Sequence, residues 1–325
     1  MKSTVTATCA RIVEPARAIG RHRGSGGRRA PARPSERPRQ SPFIDIFRTT
    51  PPLTVCPNFY VLAHADGCGF EPQCSYCYLK SSFWYLSGPQ VFTNTGRMLR
   101  EVRKWIARDD LESTMLNTGN LSDSLTFEAQ RPLMERLIRT FRTEAAGRPH
   151  TLLILTKGGM NECRTLLKTT PCRNVVASFS VNHPIAARRH EAGAPSVADR
   201  FRAAALLRRK GWRVRMRIDP MIQGFDYRPV AEKLRRLRPE RVTLGSLRAE
   251  PSLFRFVSDP IFRGLKSPPE GSGLARYSVP ERLALYGPAV EALRGVCPVA
   301  LCEEIADVWD ALGLDKDKKA CNCCA

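Results

Sequence analysis

The sequence predicts an α/β fold, a partial (βα)6 barrel of TIM-like geometry. Three observations predict it. Six short β-prone runs alternate with amphipathic helical windows over about 190 residues, the pattern of a parallel sheet with right-handed crossovers. Each run is followed by a loop of polar or small residues, as a site at the carboxyl ends of barrel strands requires. Six units, short of the eight that close a full barrel, leave it open.

Residues 58–63, Asn-Phe-Tyr-Val-Leu-Ala, read as the first strand. Residues 95–108 carry Met98, Leu99, Val102, Trp105 and Ile106 at helical spacing. A strand at 113–117, a helix near 127–142, a strand at 152–156, a short helix at 161–168 and a strand at 174–179 follow. Residues 197–209 read as helix, 213–218 as strand, 230–237 as helix and 241–245 as the sixth strand. The loops after these strands carry the informative residues: 65–80, 118–123, 157–159, 180–183, Asp219-Pro220 and 246–248.

Either side of this core, taken as residues 50–250, the composition changes. Residues 1–42 hold ten Lys and Arg against Glu14 and Glu36, with Gly, Pro and Ser between them and few large apolar side chains. Such a segment buries too little surface to offset its chain entropy, so residues 1–45 are expected to be a disordered basic tail. It is either a nucleic-acid arm or a solvated tail. Beyond 250 the alternation fails. Residues 251–274 read as loop with a short helix, and 280–293 and 301–312 as helices of a C-terminal extension, residues 251–325. That extension ends in Cys321-Asn322-Cys323-Cys324, which is read either as an untethered tail or, with Cys297 and Cys302, as a second metal or cluster site.

The net charge of +21 favours a polyanionic partner, DNA or RNA, unless it reflects an Arg-rich composition alone. Residues 1–9 lack the apolar core of a signal peptide and no long apolar run follows, so a cytoplasmic location and no membrane partner are expected. In that reducing setting, clustered members of the twelve cysteines read as ligands or catalytic groups before disulfides. Scattered ones, Cys163 and Cys172, read as small buried apolar residues.

Cys68, Cys74 and Cys77 lie within ten positions as C-x5-C-x2-C, with no fourth cysteine nearby. Three thiolates leave one coordination position open. An iron–sulfur cluster with one free iron, a zinc ion completed by Cys56 or His64, and uncoordinated core cysteines all remain open on spacing alone.

A cysteine triplet after the first strand of a (βα)6 pattern, with an aromatic before the last cysteine, resembles the radical S-adenosylmethionine superfamily. The usual spacing there is C-x3-C-x2-C, so the longer first gap is a departure. Within the superfamily, Cys74-Ser-Tyr-Cys77-Tyr-Leu, Leu121-Ser-Asp-Ser, Leu155-Thr-Lys157, Ser178-Phe-Ser180-Val-Asn182, and the run from Arg200 to Gly211 resemble the spore photoproduct lyase family, in order across about residues 55–250. The resemblance implies a partial barrel of the radical S-adenosylmethionine type. It implies a [4Fe–4S] cluster on Cys68, Cys74 and Cys77 that cleaves S-adenosylmethionine to a 5′-deoxyadenosyl radical, and a reductant such as flavodoxin or ferredoxin. It implies that Tyr76 packs near the adenine, that Ser122, Lys157 and Ser180 contact the cofactor, and that Tyr76 and Tyr78 relay hydrogen. It implies a lyase acting in DNA repair. Asn120, however, stands where the family carries its hydrogen-donating cysteine. Radical modification of RNA, a peptide or a metabolite is the alternative within enzymes. A zinc-stabilised nucleic-acid-binding protein without catalysis is the alternative outside them.

Overall fold

The structure, a computed structural model, describes residues 33–48, 54–267, 273–318 and 320–324. Its frame is an eight-stranded sheet whose spatial order follows the chain. The strands are β1 (Ile44–Phe47), β2 (Phe59–Leu62), β3 (Met115–Asn117), β4 (Thr151–Thr156), β5 (Val175–Val181), β6 (Arg213–Met221), β7 (Val242–Ser246) and β8 (Val299–Leu301). β1 pairs antiparallel with β2, and every later neighbour is parallel. Sequential parallel order with a helix in most connections is the partial barrel that the alternation predicts.

The helices are α1 (Leu79–Ser82), α2 (Thr95–Ile106), α3 (Met134–Glu144), α4 (Arg164–Lys168), α5 (Pro184–His190), α6 (Val197–Arg209), α7 (Arg228–Leu237), α8 (Val279–Leu293) and α9 (Ala306–Ala311). Local chemistry explains their limits. The buried face of α2 is Met98, Leu99, Val102, Trp105 and Ile106, the stripe visible in the sequence. α6 starts where the Ser196 hydroxyl accepts from the Asp199 amide at 3.2 Å. α7 stops at Arg238, whose φ of 49° is left-handed. α8 opens on a capping box between Ser278 and Glu281. β5 is buried on both faces, as a central parallel strand is.

The sequence reading differs from the structure in four places. Residues 33–48 are not part of a disordered tail: Ser35–Arg37 pairs with Gln90–Phe92, and β1 edges the main sheet. The rest of the expected tail, residues 1–32, lies outside the described residues. Leu301, expected to open a helix, instead ends strand β8, and the helix begins at Ala306. The alternation had hidden this strand because Val-Ala-Leu is too short to show a period. α5 was also illegible, being a single short run behind the His183 cap. Finally, residues 320–324 are tethered. The Arg215 guanidinium donates to the carbonyl of Asn322 at 2.9 Å and to that of Cys324 at 2.5 Å, and the Ser178 hydroxyl donates to Asn322 Oδ1 at 2.7 Å.

The large apolar core lies between the sheet and its outer helices. A smaller cluster of Phe59, Val61, Met115, Leu153 and Val176 fills the other face of the sheet, where Cys323 packs against it. Cys163 and Cys172 are buried in the large core, as expected of apolar cysteines. No helix among the described residues is long and apolar enough to cross a membrane.

Candidate active site

The chain leaves β2 and enters the loop that carries Cys68, Cys74 and Cys77. Three anchors fix that loop. Ala65–Asp66 pairs with Gln90–Phe92, tying the loop's start to the segment that follows it. The Gly67 amide donates to the Leu121 carbonyl at 2.9 Å, binding the loop to the turn after β3. Ser75 holds the end of α5 twice, by its amide to the His190 carbonyl at 2.9 Å and by its hydroxyl to His190 Nδ1 at 2.9 Å. Two glycines make the approaches possible. A Cβ on Gly193 would stand 2.4 Å from the Pro72 carbonyl oxygen, and one on Gly119 would stand 2.6 Å from that of Leu155. Both neighbours are backbone, which cannot step aside.

All three loop cysteines are free thiols and half-buried. Burial pushes each thiol up, Cys74 to about 12. The charges of Cys77 and Cys74 add to the rise at Cys68, so the three sense one another. Lys157 opposes the rise at Cys74 and Cys77. Three soft thiol donors on one loop, whose protons a bound metal would displace, fit an iron–sulfur cluster in their chemistry. Among the described residues, no three His, Cys, Asp or Glu side chains are gathered as ligands of a single ion. The two residues open as a fourth zinc ligand on the sequence make their contacts with other parts of the fold. Cys56 Sγ accepts from the Glu303 amide at 3.1 Å, and the His64 ring pairs through Nε2 with the Thr118 carbonyl at 3.0 Å.

Tyr76 and Lys157 stand beside the thiols. The Lys157 Nζ lies 5.7 Å from the centre of the Tyr76 ring. Burial works to lower its pKa, but the Glu191 and Cys74 charges prevail and hold it above its ordinary value. Its backbone amide donates to Asp123 Oδ2 at 2.6 Å, and Asp123 also accepts from Thr156 Oγ1 at 2.8 Å. Ser122 is buried and its hydroxyl donates to the Asp123 carbonyl at 3.2 Å. Ser180 is buried near the end of β5, and its carbonyl accepts from Arg200 at 3.1 Å.

Behind Tyr76 runs a dry polar network that the sequence reading missed. The Tyr76 hydroxyl donates to Glu191, which pairs with Arg200 at 2.5 Å with neither side chain exposed. Asn182 Nδ2 donates to the same carboxylate at 3.1 Å, and the Tyr227 hydroxyl donates to Asn182 Oδ1 at 2.8 Å. Burial would raise the Glu191 pKa, but Arg200 and Lys157 hold it down at about 2. Arg200 and Asn182 lie within runs that the sequence marks, at 200–211 and 178–182. Glu191 carried no local signal, since one glutamate after a short helix looks like any solvated residue.

Tyr78, 40% exposed, donates to the Asn120 carbonyl on the other flank of the loop. Close to it, the ends of β6 and β7 present Arg217, Asp219 and Arg248, with Arg248 also bonded to Glu303. Burial opposes ionisation of Asp219, but Arg248 and Arg217 keep it strongly depressed. The structure thus joins the three cysteines, Tyr76 and Lys157, with Ser122 after β3 and Ser180 on β5, the two strands that flank β4, and Tyr78 facing outward. A depression of about 430 Å³ lined by Glu232, Arg235, Arg236, Arg238 and Arg294 lies by the C-terminal ends of α7 and α8, away from this chemistry.

A family model described as Spore photoproduct lyase matches residues 54–244. No curated protein matches the chain in sequence. Among solved structures, a cysteine-to-alanine variant of spore photoproduct lyase with dinucleoside spore photoproduct superposes with a TM-score of 0.66 at 18% identity, covering 83% of this chain and 81% of that one. Spore photoproduct lyase complexed with dinucleoside spore photoproduct gives 0.66 and 18%, with 83% and 82% covered. A double variant of that lyase with bound AdoMet and the dinucleoside gives 0.64 and 17%, with 83% and 82% covered. At such identities the superpositions establish the fold.

Proposed function

We propose, from the premise that the chain belongs to the spore photoproduct lyase family, that it is a radical S-adenosylmethionine enzyme acting on nucleic acid. The observation that carries this reading is the meeting of three free thiols, a half-buried lysine and a half-buried tyrosine at the carboxyl ends of a sequentially ordered parallel sheet. Cys68, Cys74 and Cys77 would hold a [4Fe–4S] cluster with one open iron, which would supply an electron, drawn from a flavodoxin or ferredoxin, for reductive cleavage of S-adenosylmethionine to a 5′-deoxyadenosyl radical. The lyase structure containing AdoMet supports S-adenosylmethionine as that cofactor.

The chain's own residues bind and orient. Lys157 is kept a cation by the Glu191 and Cys74 charges against the effect of burial, and it stands beside Tyr76, suited to a carboxylate as a point charge. Ser122 and Ser180 offer hydroxyls after β3 and on β5, either side of the β4 end that carries Lys157, for ribose or carboxylate oxygens. The Tyr76 ring is a wall for the adenine, locked by its bond to Glu191. Tyr78, outward-facing, is the hydrogen relay on the substrate side, with Tyr76 behind it.

Charge and shape support a nucleic-acid substrate, and a reducing, cytoplasmic setting suits the free thiols. Directly after the cysteine loop, Trp84 and Tyr85 are 65% and 60% exposed, and Trp84 stacks on Phe256 with ring centres 6.1 Å apart. Exposed aromatics at the rim of a basic site suit stacking on unpaired bases. The relatives crystallised with a dinucleoside lesion support the same class. Asn120 argues against that lesion itself, because an amide N–H is too strong to give up a hydrogen atom as a thiol does.

Anaerobic reconstitution followed by measurement of 5′-deoxyadenosine tests the reading. A brown protein that releases it is expected. A colourless zinc protein releasing none overturns it. With dinucleoside spore photoproduct, the unmodified chain and Asn120→Cys are both expected to cleave S-adenosylmethionine without restoring thymine. Clean multiple-turnover repair by the unmodified chain would refute the exclusion of this lesion. RNA, peptide and metabolite substrates are then assayed by the same product.

A further inference from the structure

Five cysteines outside the loop meet near the inner face of the sheet, and nothing in the proposed reaction uses them. Cys321 and Cys324 stand with sulfurs 3.3 Å apart across a turn in which the Cys324 amide donates to the Cys321 carbonyl at 3.2 Å. Cys323 packs against the inner apolar cluster. Cys56, just before β2, accepts from the Glu303 amide at 3.1 Å, and Glu303 is bonded to the same Arg248 that donates to Cys302. Cys302, after β8, accepts from Arg217 at 3.3 Å and Arg248 at 3.1 Å.

Cys321 belongs to the same large core as Cys163 and Cys172, and Cys323 and Cys324 pack against it, but the tail cysteines also have arginines beside them: Arg215 and Arg241 hold their backbone, and Arg217 and Arg248 reach Cys302. Arg215 is fully buried and spends its Nη1 on the carbonyls of Asn322 and Cys324, and Arg241 donates to that of Cys321 at 3.2 Å. Yet Arg215 Nε, Arg217 Nε, Arg241 Nε and Asn322 Nδ2 have no hydrogen-bond partner. Asn322, 1% exposed, is the residue between Cys321 and Cys323. Buried donors in excess call for an anionic acceptor, since leaving each unpaired costs about 1–3 kcal/mol. Thiolates bound to a metal are such acceptors, and hydrogen bonds to their sulfurs are a usual feature of these centres.

We propose that Cys56, Cys321, Cys323 and Cys324 form a second, four-thiolate metal site of the class that takes an iron–sulfur cluster or one zinc ion. It rests on none of the reading of the loop triad. As with that triad, the sulfurs are not gathered as a single-ion chelate among the described residues, so binding must draw them together. The site places a metal centre on the inner side of the sheet and ties the chain's last residues to the segment entering β2.

The test uses the full chain with the loop triad removed, C68A/C74A/C77A, purified anaerobically. One portion is reconstituted with ferrous iron and sulfide and the other is exposed to zinc. Retention of about four irons with acid-labile sulfide identifies a cluster, and about one tightly held zinc identifies the ion; either supports the site. Adding Cys56→Ser and Cys323→Ser should lower the retained metal at least fivefold, whereas adding Cys302→Ser should leave it unchanged. Cys324→Ser alone, which leaves the carbonyl anchors of the tail in place, should give the same loss should the double change prevent folding. Metal below about 0.2 per chain in both portions overturns the proposal. So does a metal-free Cys321–Cys324 disulfide in anaerobic protein, or undiminished metal in the serine variants.

Discussion

His64 shows how far a single residue's role depends on its surroundings. Its ring is buried and its Nε2 faces the Thr118 carbonyl, so Nε2 carries the proton and the ring is neutral. Burial, then Arg131, lowers its pKa from 6.5 to about 4. As pH falls, the unfolded chain takes up this proton near 6.5 and the folded chain only near 4. Stability from the neutral ring is therefore complete above 6.5 and drains away between 6.5 and 4, by about 3 kcal/mol. Urea midpoints of metal-free protein should fall through this window and fall less in His64→Gln; parallel curves would refute the assignment. The Glu191–Arg200 pair acts lower, because Glu191 protonates only near 2. Arg200→Met strands a buried carboxylate and should cost about 3–5 kcal/mol, and adding Glu191→Gln should recover part of the loss in the same melts. Lys157→Met should weaken S-adenosylmethionine binding by about 1–3 kcal/mol, read by calorimetry on reconstituted protein. Unchanged affinity would remove Lys157 from the cofactor site. Its candidacy was legible from a lysine at a strand end, but its partners Tyr76 and Asp123 were not.

For the elements, the question is what holds the cysteine loop in register with the sheet. The loop lies against the turn between α5 and α6, and Gly193 is the point where they touch. Gly193→Ala would drive a Cβ to 2.4 Å from Pro72 O and 2.5 Å from Glu71 C. Backbone must then move, at about 1–3 kcal/mol. We expect Gly193→Ala to lower both the melting temperature and the iron retained on Cys68, Cys74 and Cys77, while Gly88→Ala, with nothing within 4 Å of its Cβ, changes neither. Equal iron retention in the two would mean that the loop is held from elsewhere. The strands and helices with a clear period, such as α2 and α6, were readable because their buried faces repeat every three or four residues. β1 and β8 were not, since four and three residues pairing at the sheet edges show no period.

At the scale of the molecule, the charge of +21 sets how it meets a polyanion. Lys2, Arg11, Arg17, Arg21, Arg23, Arg28 and Arg29 precede the described residues. Removing residues 1–32 should flatten the salt dependence of single-stranded DNA affinity by about 0.7 for each phosphate that the arm neutralises. An identical slope would make the arm a solvated tail. The folded body retains its own basic rim and aromatic surface, so binding should weaken without vanishing.

Local sequence was enough to specify the alternation of strands and helices, the cysteine loop after the strand Phe59–Leu62, and the polar strand-end loops that carry Ser122, Lys157 and Ser180. All of these rest on spacing within a few residues, which period and composition record directly. Which distant groups finish the site depended on the folded chain. Tyr76 meets Glu191 across 115 positions, and Cys56 meets Glu303 across 247. Those pairings follow from which strands lie side by side and how tightly glycines let loops approach. A buried glutamate is held charged only because a fully enclosed arginine reaches it, and that enclosure exists only once the chain has folded around both.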